Sequence, residues 1–253
     1  MKLVISPAKS LDFERSLPTE EYSDLAFPKE VVQITKVLAA KKPAALRNLM
    51  SISEELAQLN WQRNQTFNFP FTPENARPAI FAFNGDVYQG LDAFSLTKEQ
   101  VVKMQDVVRI LSGLYGILKP LDLIQPYRLE MGTALKIGKS DNLYAFWKKR
   151  LTNYLNAEMQ TDELLLNLAS VEYFSALDAK SLKAKIITPI FKDHSNGKLK
   201  VVSFFAKKAR GAMVRYILDT SAQSLDDILK FTTDGYQFSA AHTQKEAQPV
   251  FIR

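Results

Sequence analysis

Cysteine is absent from the 253-residue chain, which removes disulfides, thiolate metal sites, iron–sulfur clusters and thiol redox switching together. Histidine is nearly absent too: His194 and His242 are the only two, too few for a histidine-rich metal site. No carboxylates stand at the spacing of a hard-cation loop. The expectation is therefore no bound metal and no cofactor. No apolar run approaches the roughly twenty residues that cross a bilayer. The apolar start, Leu3-Val4-Ile5, gives way at Ser6-Pro7, too soon for a signal-peptide core. A cytoplasmic protein with no membrane partner is expected. Glycine-serine linkers, internal repeats and low-complexity tracts are missing as well, so residues 1–253 are expected to form a single domain.

What is present is an ordinary globular balance, 46% apolar and 24% charged residues, with a formal net charge of +6. The distribution of that charge is more informative than its size. Between Lys192 and Arg215 lie Lys192, Lys198, Lys200, Lys207, Lys208, Arg210 and Arg215 against one acid, Asp193. Seven minus one equals the surplus of the whole chain. A surplus confined to about a tenth of the sequence points to a site for a polyanion.

Hydrophobic periodicity and punctuation give the elements. Leu3-Val4-Ile5, Ala79–Phe83, Leu164-Leu165-Leu166 and Ile186-Ile187 read as buried strands. Pro28 and Pro43 sit at first-turn positions of two helices, and Ser51 with Glu54 has capping-box spacing for a third. Thr97-Lys98-Glu99-Gln100 is a second capping box, opening a helix with Val101, Met104, Val108 and Leu111 on its apolar face. Asp141 begins another helix, with Tyr144, Trp147, Leu151 and Tyr154 on one side. Ser195-Asn196-Gly197 is a hairpin turn between segments 186–191 and 199–205, and a helix follows from about Ala206 to Asp219. A final strand is placed at Pro249–Ile252. The elements mix without strict alternation, so the fold class expected is α+β, a mixed β-sheet core covered by helices.

Three segments could carry chemistry. The first is the basic helix: Lys208, Gly211 and Arg215 fall on one face, Phe205, Ala209, Met213 and Ile217 on another. A glycine flanked by cations lets a phosphate approach the backbone, or relieves helix packing. The second is Leu111 through Pro120, where Gly113 and Gly116 follow a helix. Two close glycines there resemble the turn of a helix-hairpin-helix element, whose backbone N–H groups meet phosphates; a plain glycine helix stop is the other reading. The third is Lys9, in Ser6-Pro7-Ala8-Lys9-Ser10, which lacks the glycines of a phosphate-binding loop. Lys9 could meet Asp86, Arg128 and Glu130 at the mouth of a strand, either as an active site or as a structural ion-pair network.

Several segments in one order resemble the YaaA-type peroxide stress resistance proteins, from Met1 to about Val250. They are Ile5 through Asp12, Gly85-Asp86-Val87-Tyr88, Leu111 through Asp122, Gln125 through Gly132, Asn167 through Ser170 with Glu172-Tyr173-Phe174, and Phe205 through Gly211. The resemblance implies a cytoplasmic bacterial protein protecting against hydrogen peroxide, linked to iron and DNA damage. It further implies an α+β DNA-binding fold with a positively charged cleft and a helix-hairpin-helix-like element. Carried over, the hairpin falls on Gly113 and Gly116, and the cleft on Lys9, Lys207, Lys208 and Arg210. Asn84 stands where some relatives have lysine, and the stretch after Tyr236 carries nothing over. Without cysteine, protection cannot come from a peroxidatic thiol.

The expectation is thus a protein contacting double-stranded or distorted DNA through phosphates with weak sequence preference. The residues assigned to that contact are Lys9, Gly113, Gly116, Lys207, Lys208, Arg210, Gly211 and Arg215. The alternative is an enzyme acting on damaged DNA or a nucleotide through Lys9, Asp86, Arg128 and Glu130.

Overall fold

The computed structural model describes residues 1–253. Its centre is a five-stranded sheet built on β1 (Lys2–Ile5). β1 pairs in parallel with β2 (Val108–Ser112) on one side and with β4 (Leu164–Leu168) on the other. β3 (Gly116–Leu118) adds antiparallel to β2, and β5 (Lys185–Ile187) adds parallel to β4. The order is β3-β2-β1-β4-β5. Leu3, Val4 and Ile5 are completely buried, the continuous apolar run of a parallel strand covered on both faces.

A smaller four-stranded sheet stands beside it. β6 (Ile190–Ser195) turns through Asn196-Gly197 into β7 (Lys198–Lys200), and β8 (Gln237–Phe238) with β9 (Val250–Ile252) completes it. The longer helices are α1 (Pro28–Ala39), α2 (Pro43–Met50), α3 (Glu54–Thr66), α4 (Asp86–Leu91), α5 (Lys98–Val107), α6 (Leu143–Glu158) and α7 (Ser203–Thr220). Mixed sheets covered by helices make this an α+β fold.

Several boundaries follow their local chemistry. Pro28 and Pro43 occupy the first turns of α1 and α2. The Thr97–Gln100 capping box forms, with the Thr97 side chain accepting from the Gln100 N–H. The cap of α3 is Ser53, which accepts from the Leu56 N–H, rather than Ser51. Ser51 instead ends α2 in the left-handed region at φ 50°. Ala79–Ala82 is one helical turn, not a strand. Its N–H groups at Ala79 and Ile80 donate to the Asp122 and Pro120 carbonyls, so these four residues are buried without joining a sheet, and of the apolar run only Phe83 is extended, paired antiparallel with Leu11.

At Gly113 and Gly116 the chain forms no helix-hairpin-helix element. α5 stops at Val107, and Val108, Arg109 and Ile110 pair in register with Leu3, Val4 and Ile5. Gly113, Leu114 and Tyr115 then turn the chain into β3, making a β-hairpin with Gly113 and Gly116 inside the fold. The Trp147 indole N–H donates to the Gly113 carbonyl at 2.9 Å. Gly116, at φ +73°, lies against the Trp147 ring, where a Cβ would clash. Both glycines are there for packing, and their backbone cannot reach a phosphate.

Candidate functional site

Outside the carboxyl ends of β1 and β4 the chain leaves a cleft of about 420 Å³. Strand order changes direction here, since β2 was added on one side of β1 and β4 on the other. Such switch points are where sheets of this kind receive ligands. The loop Ser6–Ser10 forms one wall, Asn84–Tyr88 a second, and the first turns of α7 a third.

Local contacts hold these walls in place. The Tyr88 hydroxyl donates to the Ser6 carbonyl at 3.1 Å, and the Ser170 N–H donates to Ser6 Oγ at 2.9 Å. Gly85 brings its turn against the loop: a Cβ there would stand 3.0 Å from Ala8 Cβ. Burial, reinforced by neighbouring Tyr127, holds the Tyr88 phenol well above its ordinary pKa. Burial does the same to Tyr173, which also lines the cleft.

The charged groups come from segments far apart in sequence. Lys9 Nζ lies 3.0 Å from Glu130 Oε2, whose other oxygen accepts from Arg128 at 3.1 Å. Lys207 Nζ stands 3.9 Å from Asp86 Oδ2. Glu172 accepts from the Gly132 N–H at 2.9 Å. Arg210 is half-buried in the wall and makes no hydrogen bond or ion pair with the protein. Burial pulls its pKa below the ordinary arginine value.

The structure therefore gathers Lys9, Asp86, Glu130, Lys207 and Arg210 on one cleft, with Arg128 beneath it through Glu130. Glu172, Ser170 and Tyr173 complete the lining. Sequence reading did not assign them to the site; the signal available was their place just after a buried strand. Lys9, Lys207 and Arg210 are matched by Asp86, Glu130 and Glu172. The cleft is thus charge-balanced, where a wholly basic groove was expected. Its carboxylates are not gathered into a metal-ligand group.

Other assigned residues lie elsewhere. Gly211 is buried where α7 crosses α4, facing Val87 and Leu91, so it serves helix contact rather than phosphate approach. Arg215 is turned to Asp219 at 2.9 Å and to the Ser95 hydroxyl at 2.6 Å. Lys208 is exposed on α7 but does not line the cleft. No helix is long and apolar enough to cross a membrane.

Comparison with known proteins places this geometry in a family. Residues 1–242 match the family model described as peroxide stress protein YaaA. A protein of Flavobacterium johnsoniae named UPF0246 protein is 60% identical over 253 residues, covering all of both chains. Similarly named proteins of Flavobacterium psychrophilum and Alteromonas mediterranea are 57% and 52% identical, the alignments covering all of this chain and 100% and 98% of theirs. The chain belongs to the peroxide stress protein YaaA family.

Proposed function

We propose that this protein serves the peroxide response by binding DNA, with a sugar-phosphate unit seated in the cleft between Lys9 and α7. The carrying observation is that Lys9, Lys207 and Arg210, from opposite ends of the chain, line one concave surface. Arg210 is the primary phosphate ligand, since it alone of the three has no carboxylate partner. A cleft of about 420 Å³ has the size of a small-ligand site, and three carboxylates temper its attraction for polyanions. Contact is therefore with one or two phosphates, sequence-independent, and strongest on distorted or open DNA. In a cytoplasmic setting the bound protein guards DNA against iron-linked damage. Replacing Lys9, Lys207 and Arg210 together by alanine should weaken DNA binding at least tenfold in a fluorescence anisotropy titration. Unchanged affinity refutes the assignment.

A second reading, an enzyme acting on damaged DNA or a nucleotide, draws on the 3.0 Å approach of Lys9 to Glu130. Lys9 Nζ, in its amine form, would condense with the aldehyde of an abasic sugar to an imine, releasing water, with the Glu130 carboxylate beside it to relay protons. Borohydride should then trap a Lys9 adduct on abasic DNA. Absence of a trapped adduct removes this reading and leaves the first intact.

A further inference from the structure

Beside the cleft, two aromatic rings stand in water. Phe204 is 52% exposed and Phe205 40% exposed. Both lie on the first turn of α7, with ring centroids 5.7 Å apart in an edge-to-face pair. Their surroundings differ. The Arg253 guanidinium covers Phe205 at 4.7 Å from its centroid, whereas no cation or further ring is placed on Phe204. Helical spacing puts Phe204 beside Lys207 and Lys208, three and four residues on, and Lys207 is part of the cleft lining. Phe204 is therefore a free aromatic face at the rim of the cleft, held edge-on by Phe205.

Along the chain, the charge flanking it has one sign. From His194 to Leu218 the chain contains no aspartate or glutamate, and Lys198 and Lys200 on the exposed edge strand β7 add to Lys207 and Lys208. Exposed Val201 lies between these lysines and the rings. Leaving a ring half in water is unfavourable by itself, and a purely electrostatic duplex contact has no use for it. Aromatic faces interleaved with lysines are instead what unpaired nucleic acid uses: bases stack on the rings while phosphates meet the cations.

We infer that Phe204 is a stacking platform for an unpaired DNA base, with the adjoining phosphates held by Lys207 on the cleft side and by Lys198, Lys200 and Lys208 outside it. The assignment rests on the DNA reading above and makes it specific: the preferred partner is single-stranded or unpaired DNA rather than a regular duplex. The chain is directed into the cleft at Lys207, and every base can use the platform because stacking needs only a flat face.

The test uses the whole protein, a fluorescein-labelled oligothymidine of about fifteen nucleotides, and a blunt duplex of equal length. Phe204→Ala should reduce affinity for the single strand about tenfold, leave duplex affinity within twofold, and leave the salt dependence unchanged. Phe204→Trp should retain binding, with indole emission quenched by oligothymidine. Single-strand affinity within twofold of the unaltered protein, or equal loss on both DNAs, overturns the platform. If Phe204→Ala binds like the unaltered protein while Lys207→Ala with Arg210→Ala does not, stacking falls and the DNA reading stands. If the unaltered protein binds neither DNA, both fall. Tighter binding to phosphatidylglycerol vesicles than to oligothymidine, lost in Phe204→Ala, also overturns the inference by making the patch a lipid contact.

Discussion

Gly211 of α7 faces the Val87 carbonyl of α4, so closely that a Cβ at Gly211 would also stand 2.8 Å from the Leu91 nitrogen. The relationship is reciprocal: a Cβ at Gly90 would stand 2.9 Å from the Ala212 nitrogen. Paired glycines let the two helices touch through their backbones, which sets Lys207 and Arg210 of α7 against Asp86 at the start of α4. Gly211→Ala should therefore lower stability by about 3 kcal/mol, because rigid backbone cannot yield to the new methyl group. Urea unfolding checks this; a midpoint equal to the unaltered protein's would return Gly211 to a role in phosphate approach.

Arg109 lies in the central sheet with only 2% of its surface exposed. Glu158 answers it with both oxygens, at 2.7 and 3.0 Å, and the Tyr154 hydroxyl donates to the same carboxylate at 2.8 Å. Glu158→Ala leaves a buried guanidinium without its acid, a loss of about 3–5 kcal/mol. Arg109→Met removes the more deeply buried charge and leaves Glu158 with the Tyr154 hydroxyl and Lys119, 3.8 Å away, as partners, so it should cost less. Thermal unfolding of the two variants checks the ordering, and the reverse order contradicts it.

Asp122 couples stability to pH. Burial raises its pKa to about 6, against the Ser23 hydroxyl at 2.6 Å and the Lys119 N–H at 2.8 Å, which favour the carboxylate. The folded chain thus keeps a proton that the unfolded chain releases near the ordinary aspartate value of about 4. Its stabilising contribution is full below about pH 4 and is lost as pH rises through about 6. Asp122→Asn has no such proton, so it should lie further below the unaltered protein at pH 4 than at pH 7, by about 2 kcal/mol. Equal differences at both pH values, from urea unfolding, contradict the assignment.

Glu130 holds both Lys9 and Arg128. Glu130→Gln leaves those cations without their carboxylate and tips the cleft to net positive charge. DNA affinity at about 50 mM salt should rise roughly fivefold, with a steeper salt dependence. An anisotropy titration giving lower affinity would assign Glu130 a direct role in holding the ligand.

Much of this was legible in the residues. The buried strand Leu3-Val4-Ile5 and the prolines opening α1 and α2 are local signals, and the structure forms each of them; the cations Lys9, Lys207 and Arg210 are equally visible in the residues, and the fold brings them to one cleft. Val108 through Ser112 was not. Val101, Met104, Val108 and Leu111 keep helical spacing, yet Val108, Arg109 and Ile110 become a strand because β1 lies ready to pair with them. Tertiary pairing overrode periodicity there, and the helix-hairpin-helix expectation fell with it. Gly211 illustrates the same limit at the site: its neighbour Val87 is distant in sequence, so a packing glycine looked like an opening for phosphate. The carboxylate Glu172 was missed because its one local signal, a place just after the buried strand β4, does not separate it from a solvated acid. Its meaning comes from the cleft between β1 and β4 that only the folded chain forms.

The most direct measurement is the salt dependence of DNA binding by the unaltered protein and by Lys207→Ala with Arg210→Ala. Two phosphate contacts removed should lower the slope of log affinity against log salt by about two, together with at least a tenfold loss of affinity at about 100 mM salt. An unchanged slope and affinity would mean that DNA, if held at all, is held somewhere other than this cleft.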